Sequence, residues 1–430
     1  MLMKQFNPYL LLLFIAGLLI VSCKNNTGKS RNTPFDSGYG NQTAPYMIRT
    51  AAQLAWLAEA VNTNKRDVSD GRKYAGKYYK LEADINLQDY GANFNDGKGW
   101  IPIGCDYYKR FSGHFDGANK KVTGLYINDS DSDYRGLFGC LWGGTVNNLT
   151  IETDDLGVHA KDLTGGLAGY IDNDGTVQNC SVSGTIHGNE YVGGMVGCLR
   201  VGTLTNCYVY GQVSGTGMNI GGLAGKVEGG RVLNCSAAST VSGTSDFVGG
   251  LVGSVSDAFV AGGKNLGSKV ENCFTTGDVT GAADEVGGLI GIIWDGIVVN
   301  CYASGKVIGA RNVGGVAGHI APSGQLANCV ALNMSVSGSK NVGSIIGHDR
   351  NGFHQGNVAF DGMKVTLSGG VAGRISRVRI TLAQLKQQTT YTGMGWLFAP
   401  EGPWVWGIDD YPLPTLYGQT KASVLPAHLQ

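Results

Sequence analysis

The sequence predicts an all-β fold, a β-solenoid (β-helix) of about nine rungs of ~28 residues with short helical and aromatic caps at both ends. Three observations predict it: an excess of glycine, two sequence markers that recur on one period, and strand-type alternation between them. The chain holds 69 Gly against 10 Pro in 430 residues, roughly twice the ~7% glycine of ordinary globular proteins. Collagen would need glycine at every third position. Disorder would need few apolar residues and a large net charge, whereas this chain is 43% hydrophobic with 33 basic and 33 acidic residues. The net charge of zero also removes the electrostatic reason to expect a nucleic-acid partner, and none is expected.

The first marker is a double glycine at Gly165-Gly166, Gly193-Gly194, Gly221-Gly222, Gly249-Gly250, Gly287-Gly288, Gly314-Gly315 and Gly369-Gly370, with the variant Gly343-Ser344. Spacings are 28, 28, 28, 38, 27 and 29 residues up to that variant. The second is Asn-Cys at Asn179-Cys180, Asn206-Cys207, Asn234-Cys235, Asn272-Cys273, Asn300-Cys301 and Asn328-Cys329. One long gap holds an insertion, Ala258 to Ser268. Between the markers Val182, Ile186, Val209, Val213, Val241, Val279 and Val307 alternate with polar residues and glycine. A unit this short cannot bury its own apolar face, so its strands stack at ~4.8 Å on the next unit, for a rod on the order of 40 Å. Glycine recurs, on this reading, because a tight corner with positive φ excludes a Cβ.

Apart from Cys23 there are nine cysteines, six in the Asn-Cys column. Equivalent residues in a parallel ladder point the same way, so a column of buried thiols is expected rather than a disulfide framework, with a side-chain amide ladder beside it. Zinc is not expected, because no C-x₂₋₄-C pairs are present. Thr50-x-x-Gln53 is a capping box ahead of Leu54, Leu57, Ala58 and Val61, so a helix over 50–61 is expected to cover the first rung. Thr381-x-x-Gln384 repeats the signal before a segment with Trp396, Trp404 and Trp406. The organisation expected is signal peptide 1–22, flexible tether 23–44, N-terminal cap region 45–133, solenoid 134–375, C-terminal cap 376–418 and tail 419–430.

The first segment rests on the apolar run Leu10 to Val21 behind Lys4, too short to span a bilayer and of the length of a signal-peptide core. It ends Ile20-Val21-Ser22-Cys23, which resembles the lipobox of bacterial lipoproteins. That resemblance implies lipidation at Cys23, with acyl chains holding the protein to a membrane at about 0.8 kcal/mol per buried CH₂.

The repeats resemble the GLUG motif, on V-G-G-L-V-G at Val248 to Gly253 and V-G-G-L-I-G at Val286 to Gly291. The lead-in is similar to that of GLUG-repeat lipoproteins of Gram-negative anaerobes, with A-A-Q-L-A-W-L-A at Ala51 to Ala58, Y-Y-K-L-E-A-D-I-N-L at Tyr78 to Leu87, W-I-P-I-G at Trp100 to Gly104 and F-S-G-H-F-D-G at Phe111 to Gly117. The tail Trp404 to Leu416, with Y-P-L-P-T-L, resembles their closing segment. The resemblance implies a surface protein of the adhesin-like kind; the same repeats occur in metallopeptidases that cleave immunoglobulin A.

Chemistry was sought on both enzyme branches. A metallopeptidase needs H-E-x-x-H, and none of the seven His residues lies in one. His348, Asp349 and His354 form the nearest cluster and read as a turn. A polysaccharide lyase or hydrolase would need carboxylates or Arg/Lys converging on adjacent rungs. Counting from the double glycine puts Asp172, Asp174, Arg200, Glu228, Asp257, Asp295 and Pro322 near one corner, a scattered edge with no facing pair, while Asp278 and Lys306 suggest a surface ion pair. Asp129-x-Asp131-x-Asp133 has calcium-like spacing, but Tyr134 replaces the turn glycine and Cys140 the twelfth ligand of an EF-hand loop, so no metal is expected. Core or cap packing is the default reading of Tyr107, Tyr108, Tyr134, Trp142 and Trp294, with stacking on sugar rings as the alternative, and the insertion offers Phe259 and Lys264.

The sequence is therefore expected to encode a non-enzymatic, lipid-anchored outer-membrane protein on the surface of a Gram-negative bacterium. It needs no cofactor, has no catalytic residue and presents its rungs to a host or microbial glycan or protein. A carbohydrate-active β-helix enzyme is the alternative.

Overall fold

The computed structural model describes residues 33–370, 373, 374, 376, 378–407, 411–417 and 426–430. The signal peptide 1–22, Cys23 and residues 24–32 of the expected tether lie outside the described residues. From Pro34 onward the chain forms one unit.

Each rung travels through a short ladder and three faces. The ladder holds the double glycines, with Gly165, Gly193, Gly221, Gly249, Gly287, Gly314 and Gly343 paired in parallel from rung to rung. The first face carries strands such as Phe138–Trp142, Ala168–Asp172, Val196–Arg200, Ala224–Glu228 and Val252–Ser256. A second face follows, with Gly175–Gln178, Gly202–Thr205, Arg231–Leu233 and Lys269–Glu271. After the Asn-Cys corner the third face begins, as in Ser181–Gly188, Tyr208–Gly215 and Ser236–Gly243. Ile186, Val213, Val241, Val279, Val307, Val336 and Val365 pair in one register there, and all are buried. The period-2 alternation thus puts one apolar column per face into a core that runs the length of the rungs.

Crowding, not positive φ, selects the double glycine. None of the six regular pairs has positive φ, yet a Cβ on Gly194 would lie 2.4 Å from Gly222 O, and one on Gly222 2.1 Å from Gly250 O. The backbone of the next rung fills the space. Ser344 is tolerated in the same column at its end, where its hydroxyl accepts the Ser376 N–H at 2.8 Å. Gly369-Gly370 does not continue the column: both residues sit in an open turn at φ +83 and +80 with nothing near them.

The left-handed corner belongs to asparagine. Asn148, Asn179, Asn206, Asn234, Asn272, Asn300 and Asn328 have φ between 52° and 56°, a region that Asn tolerates better than other non-Gly residues. Their amides form the expected ladder, each Nδ2 donating to the previous Oδ1 from Asn179→Asn148 at 3.0 Å to Asn300→Asn272 at 3.4 Å. The nine described cysteines are unpaired. In the column each thiol donates to the carbonyl two residues before it at 3.1–3.3 Å. Three of them also accept the N–H of the previous rung's cysteine, as Cys235 Sγ does from Cys207 N at 3.4 Å. The carbonyl also accepts the N–H of the previous rung's asparagine, as Leu233 O does from Asn206 N, so what a plain hydrophobe of that size would leave unmet is the cysteine N–H. In the next rung Asn357 takes over, accepting from Cys329 N at 2.9 Å.

At the N-terminal end helix α1 (Ala51–Asn62) starts with the predicted capping box and buries Leu54, Leu57, Ala58 and Val61. Asn62 ties it to the first rungs by accepting from Gly104 N and Cys105 N and donating to Pro102 O. Beneath it the nearly inaccessible Lys77 pairs with Asp67 at 3.0 Å, and Tyr46 OH also donates to Asp67. Within the described part of the expected tether Phe35 is anchored: it is buried, stacked on Tyr46 at 4.8 Å and edge-on to Trp56 at 5.4 Å.

The C-terminal segment covers more than the last rung. After two short helices, Leu382–Leu385 and Gln388–Thr392, it runs back along the side of the solenoid as a strap. Trp396 stacks on Trp404 at 4.6 Å, and Trp404 lies against Phe274 and Tyr302. The indole N–H groups of Trp396 and Trp404 donate to Asn328 O and Asn272 Oδ1, and Tyr302 OH donates to Pro414 O at 2.9 Å. Residues 426–430, expected as tail, belong to it, with Leu429 buried and His428 on Leu332 O. The strap explains why Phe274 and Tyr302, at the outward position after the cysteine, are inaccessible.

Candidate ligand-binding face

The first face keeps its outward side chains in register. Cys140, Tyr170, Cys198, Lys226 and Ser254 are one column. Two residues on, Trp142 pairs with Asp172, Arg200 with Glu228, and Glu228 with Ser256. The expected aromatics meet at one end of this face. Tyr107 is edge-on to Trp142 at 5.3 Å and to Tyr108 at 5.6 Å, and Tyr170 lies 6.4 Å from Tyr107 and 6.0 Å from Tyr134. Tyr108 is 86% exposed. The Arg110 guanidinium lies over Trp142, 3.8 Å from its centroid, and 5.5 Å from Tyr107.

Next along the face is an ionic ladder. Arg200 bonds Asp172 at 2.9 Å and approaches Glu228 at 3.5 Å, Lys226 holds Glu228 at 2.8 Å, and Tyr170 OH donates to Asp172 at 3.1 Å. The expectation of no facing pair is therefore overturned for Asp172, Arg200 and Glu228, because the strands are in register across the rungs. Burial would lower Lys226, but the hydrogen bond to Glu228 outweighs it and raises its pKa. Burial pushes the Cys140 and Cys198 thiols up to about 12, which leaves them inert at neutral pH. Each carboxylate of the ladder is matched by a cation.

Trp294 lies further along, edge-on to Phe247 at 6.0 Å and 6.3 Å from His319. His319 is buried, with its ring 5.0 Å from His348 and Nδ1 3.6 Å from Glu285. Among the described residues Asp246, Asp284 and Glu285 bring one carboxylate oxygen each within 4.8 Å of the others. Arg311 already neutralises Asp284, and Asn312 donates to Glu285.

Other sequence candidates disperse. Asp129 is taken by Lys98 and Arg135, both at 2.8 Å. Asp349 caps its own turn through Gly352 N and meets His354 at 3.2 Å, as the turn reading expects. Asp257 accepts from Ser268 N and Asn265 and so braces the insertion, a hairpin of Ala258–Val260 and Lys264–Leu266 with Phe259 exposed. Asp278 accepts from the Lys306 backbone N–H rather than its ammonium. Asp174 is a left-handed turn residue, Asp295 pairs in register with Ser323, and Pro322 is exposed. Sequence reasoning missed Tyr170 and Lys226, which alternation places beside Asp172 and Glu228 two residues on. Arg110 sits before the regular repeat begins and carried no periodic signal.

A family profile described as "The GLUG motif" matches residues 163–186, 216–242 and 283–308. Three of the rungs carry GLUG motifs. Each GLUG stretch spans one rung, from the short ladder to the third-face strand. Over 168 residues the chain is 34% identical to a protein of Evansella cellulosilytica provisionally named a Gly-rich membrane protein, covering 38% of this chain and 17% of the relative. Over 172 residues it is 31% identical to Halomucin of Haloquadratum walsbyi, covering 39% of this chain and 2% of that one. The chain thus spans a small part of the length of both relatives. A crystal structure from Bacteroides ovatus, provisionally described as an immunoglobulin A1 protease, aligns at TM-score 0.43 and 16% identity over 89% of this chain and 95% of that one. A structure named IgA1 Protease aligns at TM-score 0.44 and 16% identity over 76% of this chain and 23% of that one.

Proposed function

We propose that this GLUG-repeat solenoid is a non-enzymatic, adhesin-like lipoprotein, anchored through Cys23 in the outer membrane of a Gram-negative bacterium and facing outward, whose first face captures a glycan. The observation that carries the binding role is the cluster of Tyr107, Tyr108, Tyr134, Trp142 and Tyr170 beside a polar ladder, in which Tyr108 is exposed and the other rings are half-buried. Aromatic faces flanked by hydrogen-bonding groups suit sugar rings, which present C–H patches and hydroxyls together. The pairing of Asp172 and Glu228 with Arg200 supports a binding role over glycoside cleavage, which needs two carboxyl groups flanking the scissile bond and free to reach it. A relative named as a membrane protein supports a membrane location. Among the described residues no helix is long and apolar enough to cross a membrane.

The test is a glycan array probed with the full chain and with Tyr108→Ala. Capture that Tyr108→Ala weakens supports the proposal; capture indifferent to that change, or release of shortened saccharides from the array, contradicts it. Cys23→Ser should abolish lipid labelling and release the chain from the membrane fraction, and retention of the unlipidated chain would remove the anchor.

A further inference from the structure

We infer that the glycan captured at this face carries carboxylate groups, and that Arg110 is the residue that selects them. The inference rests on the binding role proposed above and deepens it.

Four arginines are held by carboxylates, whereas Arg66, Arg72, Arg231, Arg350, Arg374 and Arg379, like Arg110, have none within 4.0 Å among the described residues. Arg200 has Asp172 and Glu228, Arg135 has Asp129, Arg49 has Glu82, and Arg311 has Asp284. Among the described residues no carboxylate lies within 4.0 Å of the Arg110 guanidinium, and its contacts are two aromatic rings, Trp142 and Tyr107. The nearby carboxylates are spoken for. Asp106 accepts from Tyr108 N and Lys109 N at 2.8 Å and meets the Lys109 ammonium at 3.4 Å, and Asp172 is held by Arg200 and Tyr170.

Stacking distinguishes Arg110 from an ordinary surface cation. A guanidinium 3.8 Å from an indole centroid is held in place by the ring, so it has lost much of its rotamer freedom before any ligand arrives. Its N–H donors remain without an acceptor, in the fork that matches a carboxylate bidentately. The exposed Tyr108 ring two residues away supplies a surface for the sugar that bears the carboxylate. Charge complementarity and the apolar platform therefore point to the same occupant, a polysaccharide of uronic acids.

The experiment compares carboxylated polysaccharides (polygalacturonate, alginate and hyaluronan) with the same polymers after chemical reduction of their carboxyl groups. Binding to the full chain is followed by titration calorimetry and Trp fluorescence. At least one acidic polymer should bind about tenfold more tightly than its reduced form, the usual scale of one charge-assisted bidentate contact. Arg110→Gln should erase that preference while leaving the melting temperature and residual binding to the reduced form in place. Arg110→Lys should keep the salt dependence of binding but lose part of the preference. Equal binding of acidic and reduced forms by the unaltered chain, or a preference that survives Arg110→Gln, would overturn the inference and leave the glycan-binding role standing. Failure to bind any polymer of either kind would overturn the inference, and capture of no glycan on the array would overturn the binding role itself.

Discussion

Two columns of aromatic residues run across the rungs of this solenoid, and the chain treats them differently. On the third face Phe274 and Tyr302 stack 4.8 Å apart at 7° and vanish beneath Trp396 and Trp404 of the strap. On the first face Tyr107, Tyr108, Trp142 and Tyr170 meet at edge-on or tilted angles, and Tyr108 stands 86% exposed. The chain's own C-terminus satisfies the first column. The second has a guanidinium on its indole, its other rings are half-buried, and Tyr108 projects from it. Rings that serve the fold are covered by it, and rings left open mark where another molecule can take the place of the strap.

The comparison predicts unequal costs. Trp404→Ala, which empties the strap contact, should cost about 3–5 kcal/mol of stability, read from a denaturant titration. An unchanged midpoint would mean the strap is decoration. The strap also sets an alkaline limit. Burial raises Tyr302 and Tyr391 well above the ordinary tyrosine value and takes Tyr411 up to about 12. The folded state binds these protons more tightly than the unfolded state does, so their contribution is whole below about pH 10 and falls as pH rises. The loss is roughly 1.4 kcal/mol per pH unit for each tyrosine until its folded pKa is reached. Tyrosinate absorbance should therefore lag in the native protein and appear together with unfolding. A smooth titration of all tyrosines without unfolding would contradict the buried strap.

Thiol chemistry sharpens the contrast between inside and outside. Burial raises Cys180, Cys207, Cys235, Cys273 and Cys301 well above the usual thiol range. Of the nine described cysteines Cys105 alone is not buried, so it should label first in native protein and the column only after denaturation. Three or more disulfides by intact mass would break the thiol-ladder account. The smallest stability effect is expected at Tyr108, where replacement by Ala should change stability by less than about 0.5 kcal/mol while glycan capture drops several-fold.

Much of this was legible in the sequence because a solenoid repeats its reasons. Two markers on one period gave the rungs, the Asn column gave the amide ladder, and Thr50 with Gln53 gave the start of helix α1. Where the reading failed, the cause was contact between distant residues. The double glycine looks like a turn signal, but the reason for it, the carbonyl of the next rung 2.1–2.4 Å from a would-be Cβ, exists only after stacking. Gly369-Gly370 imitates the marker because an exposed turn also favours glycine. Phe35 reads as one aromatic in a polar tether, and its partner Trp56 is on a helix. The Trp-rich segment reads as an end cap, yet Trp404 bonds to Asn272, 132 residues earlier. Arg110 and Trp142 come from the irregular early rungs, where no period puts one beside the other.

The central claim, that one aromatic column holds the fold and the other holds a ligand, is tested most directly by Trp142→Ala measured for both properties in one preparation. The account predicts a denaturation midpoint shifted by no more than about 1 kcal/mol, the order of a cation–π contact at a partly exposed site, together with loss of glycan capture on the array. A variant that unfolds like Trp404→Ala, or one that keeps full capture, would contradict it.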